Sequence, residues 1–128
     1  MTRPRLDLLR AAYDAYNRGE VASVAGFASE DIEVCPPPTS LDPARFRGRD
    51  ALLQYLEPDL FEFQRAEPAE FLEEGDRILV AVKVHARGRG GGVELHDEAF
   101  HVWTVEGEHA VRLELFADRD DALAALRR

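Results

Sequence analysis

Apolar residues recur with a helical period up to about residue 57 and with a period of two beyond it. From Pro4 to Arg18, Leu6, Leu9, Tyr13 and Tyr16 form one stripe, with Leu8, Ala12 and Ala15 beside them. Pro4 suits a first helical turn, and Gly19 suits the position just past the end. Val21, Val24, Ala25 and Ala28 keep the same spacing and predict a second helix over 21–28. Ile32 to Cys35 alternates, which predicts a short strand stopped by Pro36, Pro37 and Pro38, since proline supplies no ladder N–H. Residues 39–48 read as an irregular loop. Arg49 to Glu57 is a third helix carrying Leu52, Leu53, Tyr55 and Leu56, ended by Pro58.

Alternation then predicts strands near Leu60–Arg65, Ala69–Glu73, Arg77–Arg87, Val93–Val105 and His109–Ala117. The turns are EEGD (73–76), GRGGG (88–92) and EGE (106–108), short enough for an antiparallel meander. Asp118 can cap a closing helix over Arg119–Leu126, with Asp120 and Asp121 in its first turn and Arg127 and Arg128 at its end. Segregated helices and strands define an α+β fold. Helices on one face of a strongly bent sheet enclose a space of the kind that binds small molecules.

The chain has 128 residues, which suits a single domain over 1–128. Its net charge of −9 argues against nucleic acid and against an anionic membrane surface, both of which select basic patches. Fifteen of the 16 basic residues are arginine, a codon-bias signature that hints at a GC-rich, bacterial genome. A single cysteine makes no internal disulfide, and no stretch approaches the ~20 apolar residues of a spanning helix. Both facts point to a reducing, cytoplasmic setting.

Four stretches carry a resemblance: AAYDAYNRGEVASVAGFASEDIEV (11–34), FRGRDALLQYL (46–56), EEGDRILVAVKVHARG (73–88) and AFHVWTVEGEHAVRLELFADRDDALAAL (99–126). Together they resemble the SnoaL-like branch of the nuclear transport factor 2-like superfamily, from about Leu8 to Leu126. The resemblance implies a cone-shaped domain, usually a dimer, with a pocket between the helices and the concave face of the sheet. Relatives include ketosteroid isomerases, polyketide cyclases and limonene epoxide hydrolases, beside pure binding modules, so the fold does not set the reaction. Where the isomerases end their first strand with a general-base aspartate, this chain has Pro36, which takes no proton.

Cys35 has no cationic neighbour in sequence to activate it and reads as a small hydrophobe at a strand end. HDEAFH (96–101) looks like a metal motif, but on a strand His96 and His101 point to opposite faces. RGRGGG (87–92) lacks the phosphate-loop pattern and reads as a hairpin loop. Neither a metal nor any other cofactor is implied.

Alternation sorts the strand residues into Lys83, His85 and Arg87 against Val80, Val82 and Val84. It also separates His101 and Trp103 from Phe100 and Val102, and Arg112, Glu114 and Phe116 from Leu113 and Leu115. Grouping these by character gives one aliphatic face and one that mixes charge with aromatic rings. Pattern alone leaves open which of them is the core. The resemblance implies that the mixed face lines the pocket: His101 falls where the isomerases place an oxyanion donor, and Glu114 and Phe116 fall at lining positions. The expected site is then His101 and Glu114 as acid–base pair, with Tyr13, Tyr16, His85, Trp103 and Phe116 around a small apolar or ring-containing ligand. A neighbouring carboxylate would raise the histidine pKa. The aliphatic convex face would be covered by a second subunit in a homodimer. The alternative is a non-catalytic binding or interaction module whose pocket is small or filled.

Overall fold

The computed structural model describes residues 5–37, 46–56, 61–88, 90, 92 and 94–128, the side chains of 54–56 and 61–64 excepted. The expectations at Pro4, Glu57, Pro58, Leu60 and Val93, over 38–45, and at Arg89 and Gly91 lie outside these residues. Helix α1 (Arg5–Asn17) buries Leu9, Ala12, Tyr13 and Ala15. It stops because Gly19 adopts a positive φ of 82°. In that turn the N–H of Glu20 donates to the carbonyl of Ala15, and that of Gly19 to the carbonyl of Tyr16. This paired closure satisfies the last carbonyls of the helix, and glycine reaches its conformation without steric cost. Helix α2 (Val21–Phe27) and strand β1 (Ala28–Cys35) follow. The strand begins four residues before the expected Ile32.

A two-residue strand, β2 (Phe46–Arg47), pairs with Glu33 and Val34 of β1 inside what reads from sequence as loop. Helix α3 (Arg49–Leu56) comes next, then strand β3 (Phe61–Glu74). Two separate strands are expected from sequence here. The structure has one, with a register shift between Pro68 and Glu70. The proline is tolerated because β3 is the edge of the sheet and pairs only with β4 (Arg77–Gly88).

Strands β5 (Glu94–Glu106) and β6 (His109–Phe116) complete a six-stranded sheet in the order β2-β1-β6-β5-β4-β3. All its pairings are antiparallel except β1 with β6. One face packs on α1, α2 and α3 through Ile32, Val34, Ile78, Val80, Val82, Trp103, Leu113 and Leu115, with Leu52 of α3 in the same core. The other carries Leu79, Ala81, Phe100 and Val102 beneath α4 (Arg119–Leu126), whose Ala122, Ala125 and Leu126 cover them. This corrects the face assignment: Val80 and Val82 face the helices of their own chain, not a second subunit.

The unbroken β4–β5 ladder puts Val80 directly opposite His101, and one residue in the next ladder separates His101 from Glu114. Glu106 pairs with His109 and Val105 with Ala110; continued unbroken, that ladder would set His101 opposite Glu114. A register shift between Thr104 and Val105 moves β6 on by one, so His101 meets Leu115 and Val102 meets Glu114. Side chains alternate across a sheet, so a one-residue bulge exchanges the faces of everything beyond it. Leu113 and Leu115 thereby join the main core, and Glu114 turns away from it.

Asp118 caps α4 as expected, accepting from the N–H of Asp120 at 2.7 Å. Asp118→Ala should lower unfolding stability by about 1 kcal/mol, the usual worth of an N-cap. Urea denaturation checks this, and an unchanged midpoint would mean that α4 is held by packing alone.

Candidate functional site

Tyr13 projects from the buried side of α1 onto the helix-covered face of the sheet, where β5 presents His101 and Trp103 two residues apart. The three side chains form a chain of hydrogen bonds. Trp103 Nε1 donates to the Tyr13 hydroxyl at 3.0 Å, and that hydroxyl lies 2.6 Å from His101 Nδ1. The Tyr13 and His101 rings stack with centroids 5.9 Å apart and planes 10° from parallel. Trp103 meets the tyrosine edge-on at 6.2 Å and is backed by Phe27 at 6.0 Å.

The chemistry of these groups assigns the protons. An indole N–H only donates, so the tyrosine oxygen accepts from Trp103. Its own hydrogen then needs an acceptor, because a buried, unpaired hydroxyl costs about 1–3 kcal/mol. His101 Nδ1 is the acceptor in reach, so the neutral imidazole carries its hydrogen on Nε2. No described group hydrogen-bonds Nε2, and the His101 side chain is only partly buried.

Burial pulls the His101 pKa down to about 4, and no described carboxylate opposes the shift. Burial also pushes the Tyr13 hydroxyl well above its ordinary range, and the Trp103 hydrogen bond offsets only part of that. At neutral pH both groups are uncharged.

The expected His101–Glu114 pair does not form. Glu114 is buried on the opposite face, where Arg128 donates to its Oε2 and Arg112 Nε lies 3.7 Å from its Oε1. Phe116 lies on that face too, packed against the α4 cluster. His85 faces the same way and meets His96 of β5 with ring centroids 4.5 Å apart. Together with Lys83, Val84, Asp97 and Glu98 they line an open depression of about 430 Å³, which includes neither His101 nor Trp103. Tyr16 stays on the helix side, partly buried against the main core. Of the expected set, the structure therefore joins Tyr13, His101 and Trp103, keeps Tyr16 near them, and separates His85, Glu114 and Phe116.

Cys35 does acquire a cationic neighbour, one that sequence adjacency could not reveal. The parallel pairing of β1 with β6 brings Arg112 beside it, while its thiol donates to Glu33 Oε1 at 3.6 Å. His96 and His101 lie on opposite faces, as alternation requires. Among the described residues no group of three or more His, Cys, Asp or Glu is arranged to hold a metal ion.

A six-stranded, mainly antiparallel sheet with three helices on one face and a fourth on the other is the nuclear transport factor 2-like architecture. The chain belongs to the SnoaL-like domain family, whose pattern matches residues 9–113. An NTF2-like protein of Burkholderia pseudomallei K96243 is 23% identical, with a TM-score of 0.76 over 97% of this chain and 98% of that one. TerC, co-crystallised with polyporic acid, is 19% identical, with a TM-score of 0.76 over 98% of this chain and 100% of that one. A protein of ketosteroid isomerase-like fold from Catenulispora acidiphila DSM 44928, in complex with trimethylamine, is 12% identical; its TM-score is 0.75 over 97% of this chain and 92% of that one. No curated protein matches the chain in sequence. No described helix is long and apolar enough to cross a membrane.

The partly buried histidine makes a pH prediction. Its folded pKa is about 4, below the ordinary value of 6.5, so between these values the unfolded chain binds more protons. The stability it contributes is complete above pH 6.5 and is lost as pH falls through about 4. The loss should amount to ~3 kcal/mol at its limit. Denaturation of wild type and His101→Gln across pH 4–7 measures it; parallel curves would place the histidine in water.

Proposed function

We propose that the chain binds a small apolar or ring-containing molecule on the helix side of its sheet, and that His101 orients it by donating a hydrogen bond from Nε2 to a carbonyl or other oxygen acceptor. The observation behind this is a partly buried histidine whose Nδ1 is committed to Tyr13 and whose Nε2 meets no described hydrogen-bond partner. The small ligands in TerC and the Catenulispora protein support a binding role for the fold.

The same geometry argues for polarisation and against proton abstraction. A general base needs a free lone pair and a pKa near the working pH. Here the lone pair accepts from Tyr13, and the pKa is depressed to about 4. A neutral imidazole N–H in a low-dielectric site instead stabilises negative charge as it develops on oxygen. The second reading, binding without turnover, is favoured by one feature. Position 36, where related isomerases hold their base, is proline, and no described carboxylate reaches His101. Turnover would need a proton acceptor on the substrate or in the solvent.

Trp103 is the only tryptophan and belongs to the hydrogen-bond chain, so its emission reports on the site without a label. Titration with 1-tetralone should quench it, while tetralin, the same rings without the oxygen, should bind roughly five- to tenfold more weakly, the worth of one hydrogen bond. His101→Phe should erase that difference. Equal binding of the two compounds to wild type, or no binding of either, would refute the donor role.

A further inference from the structure

We infer that Asn17 is a positioning residue: its side chain fixes the rotation and slide of α1, and so sets the Tyr13–His101 contact. This rests on the reading of His101 as the ligand's donor. Asn17 lies four residues after Tyr13, one helical turn along the same side of α1. Its Nδ2 donates to the carbonyl of Ala66 at 2.8 Å, and its Oδ1 accepts from the N–H of the same residue at 2.8 Å. The carboxamide thus imitates one residue of a neighbouring strand. It occupies the open side of β3, the sheet's edge, where both backbone groups of Ala66 point away from β4.

Two further moorings of α1 are looser by construction. Arg5 reaches the carbonyl of Gly75 at 2.6 Å and the carboxylate of Glu73 at 3.0 Å through a long, partly exposed side chain. Arg10 lies over the ring of Phe71 at 4.5 Å. Long side chains absorb a shift of the helix by changing rotamer. Asn17 has two rotatable bonds and two anchors on one residue, so it does not. One residue of helix rotation is about 100°, enough to carry the Tyr13 hydroxyl away from His101. The fixed point lies one turn from that hydroxyl, and a site built on a rigid element is only as accurate as its supporting contacts.

The test follows the His101 imidazole nitrogens by NMR, with their signals assigned through His101→Gln. The wild type should show hydrogen on Nε2 and an accepting Nδ1. Asn17→Ala, and Asn17→Asp, which keeps the shape and one of the two bonds, should both mix the tautomers; Arg5→Ala, the control mooring, should leave the signal in place. In parallel, 1-tetralone affinity should fall about tenfold in the Asn17 variants and stay near wild type in Arg5→Ala. If the Asn17 variants melt at lower temperature but keep the wild-type His101 signal, Asn17 only stabilises the fold and the inference fails. A wild type that binds no tetralone would sink the proposed ligand role alone, because the tautomer signal needs no ligand.

Discussion

A single extra residue in β6 decides which of that strand's side chains share the helix-covered face with His101 and Trp103. In a sheet the side-chain period is two, so a one-residue shift reassigns every position beyond it. The shift between Thr104 and Val105 sends Leu113 and Leu115 into the main core and Glu114 to the other side. The core gains two leucines against Trp103 and His101, and the site loses the carboxylate that would have charged the histidine. A neutral His101 then follows from burial without a counter-ion.

Burying polar groups carries a penalty unless they are bonded, and the site meets that penalty through a chain of donors ending in one unused N–H. Trp103 donates to Tyr13 and Tyr13 donates to His101, so each buried polar atom of the first two residues is matched. What remains is a donor on Nε2. The direction of the whole chain is set at its far end by the indole, which can only donate. Glu114 is matched differently, by a hydrogen bond from Arg128 with the Arg112 charge nearby on the α4 side, and so belongs to the closure of the C-terminal helix.

Much of this was legible in the chain. The period change near residue 57, the Gly19 stop and the Asp118 cap are local signals, and α1, α2, α3 and α4 appear within a residue or two of their expected limits. Tyr13, His101 and Trp103 were nameable as a group through family resemblance, and the structure brings them into contact. What failed was the grouping of faces across strands. Character proved a poor guide, because Val80 and His101 pair directly although one is aliphatic and the other ionisable. Nor did any local feature mark Asn17, whose partner Ala66 is 49 positions away. The cationic neighbour of Cys35 was equally hidden, since Arg112 reaches it only through the parallel pairing of β1 and β6.

By itself, the sequence determined the four helices and most of the strands in their order, because helix stripes, strand alternation, caps and turns are written in residues a few positions apart; it missed β2 and divided β3. It also determined which residues point the same way along unbroken stretches of strand. Only the tertiary structure decided which strand faces coincide, because register depends on a bulge in a ladder between distant residues. That choice separated His101 from Glu114, joined it to Tyr13, and so turned an expected acid–base pair into a neutral hydrogen-bond donor.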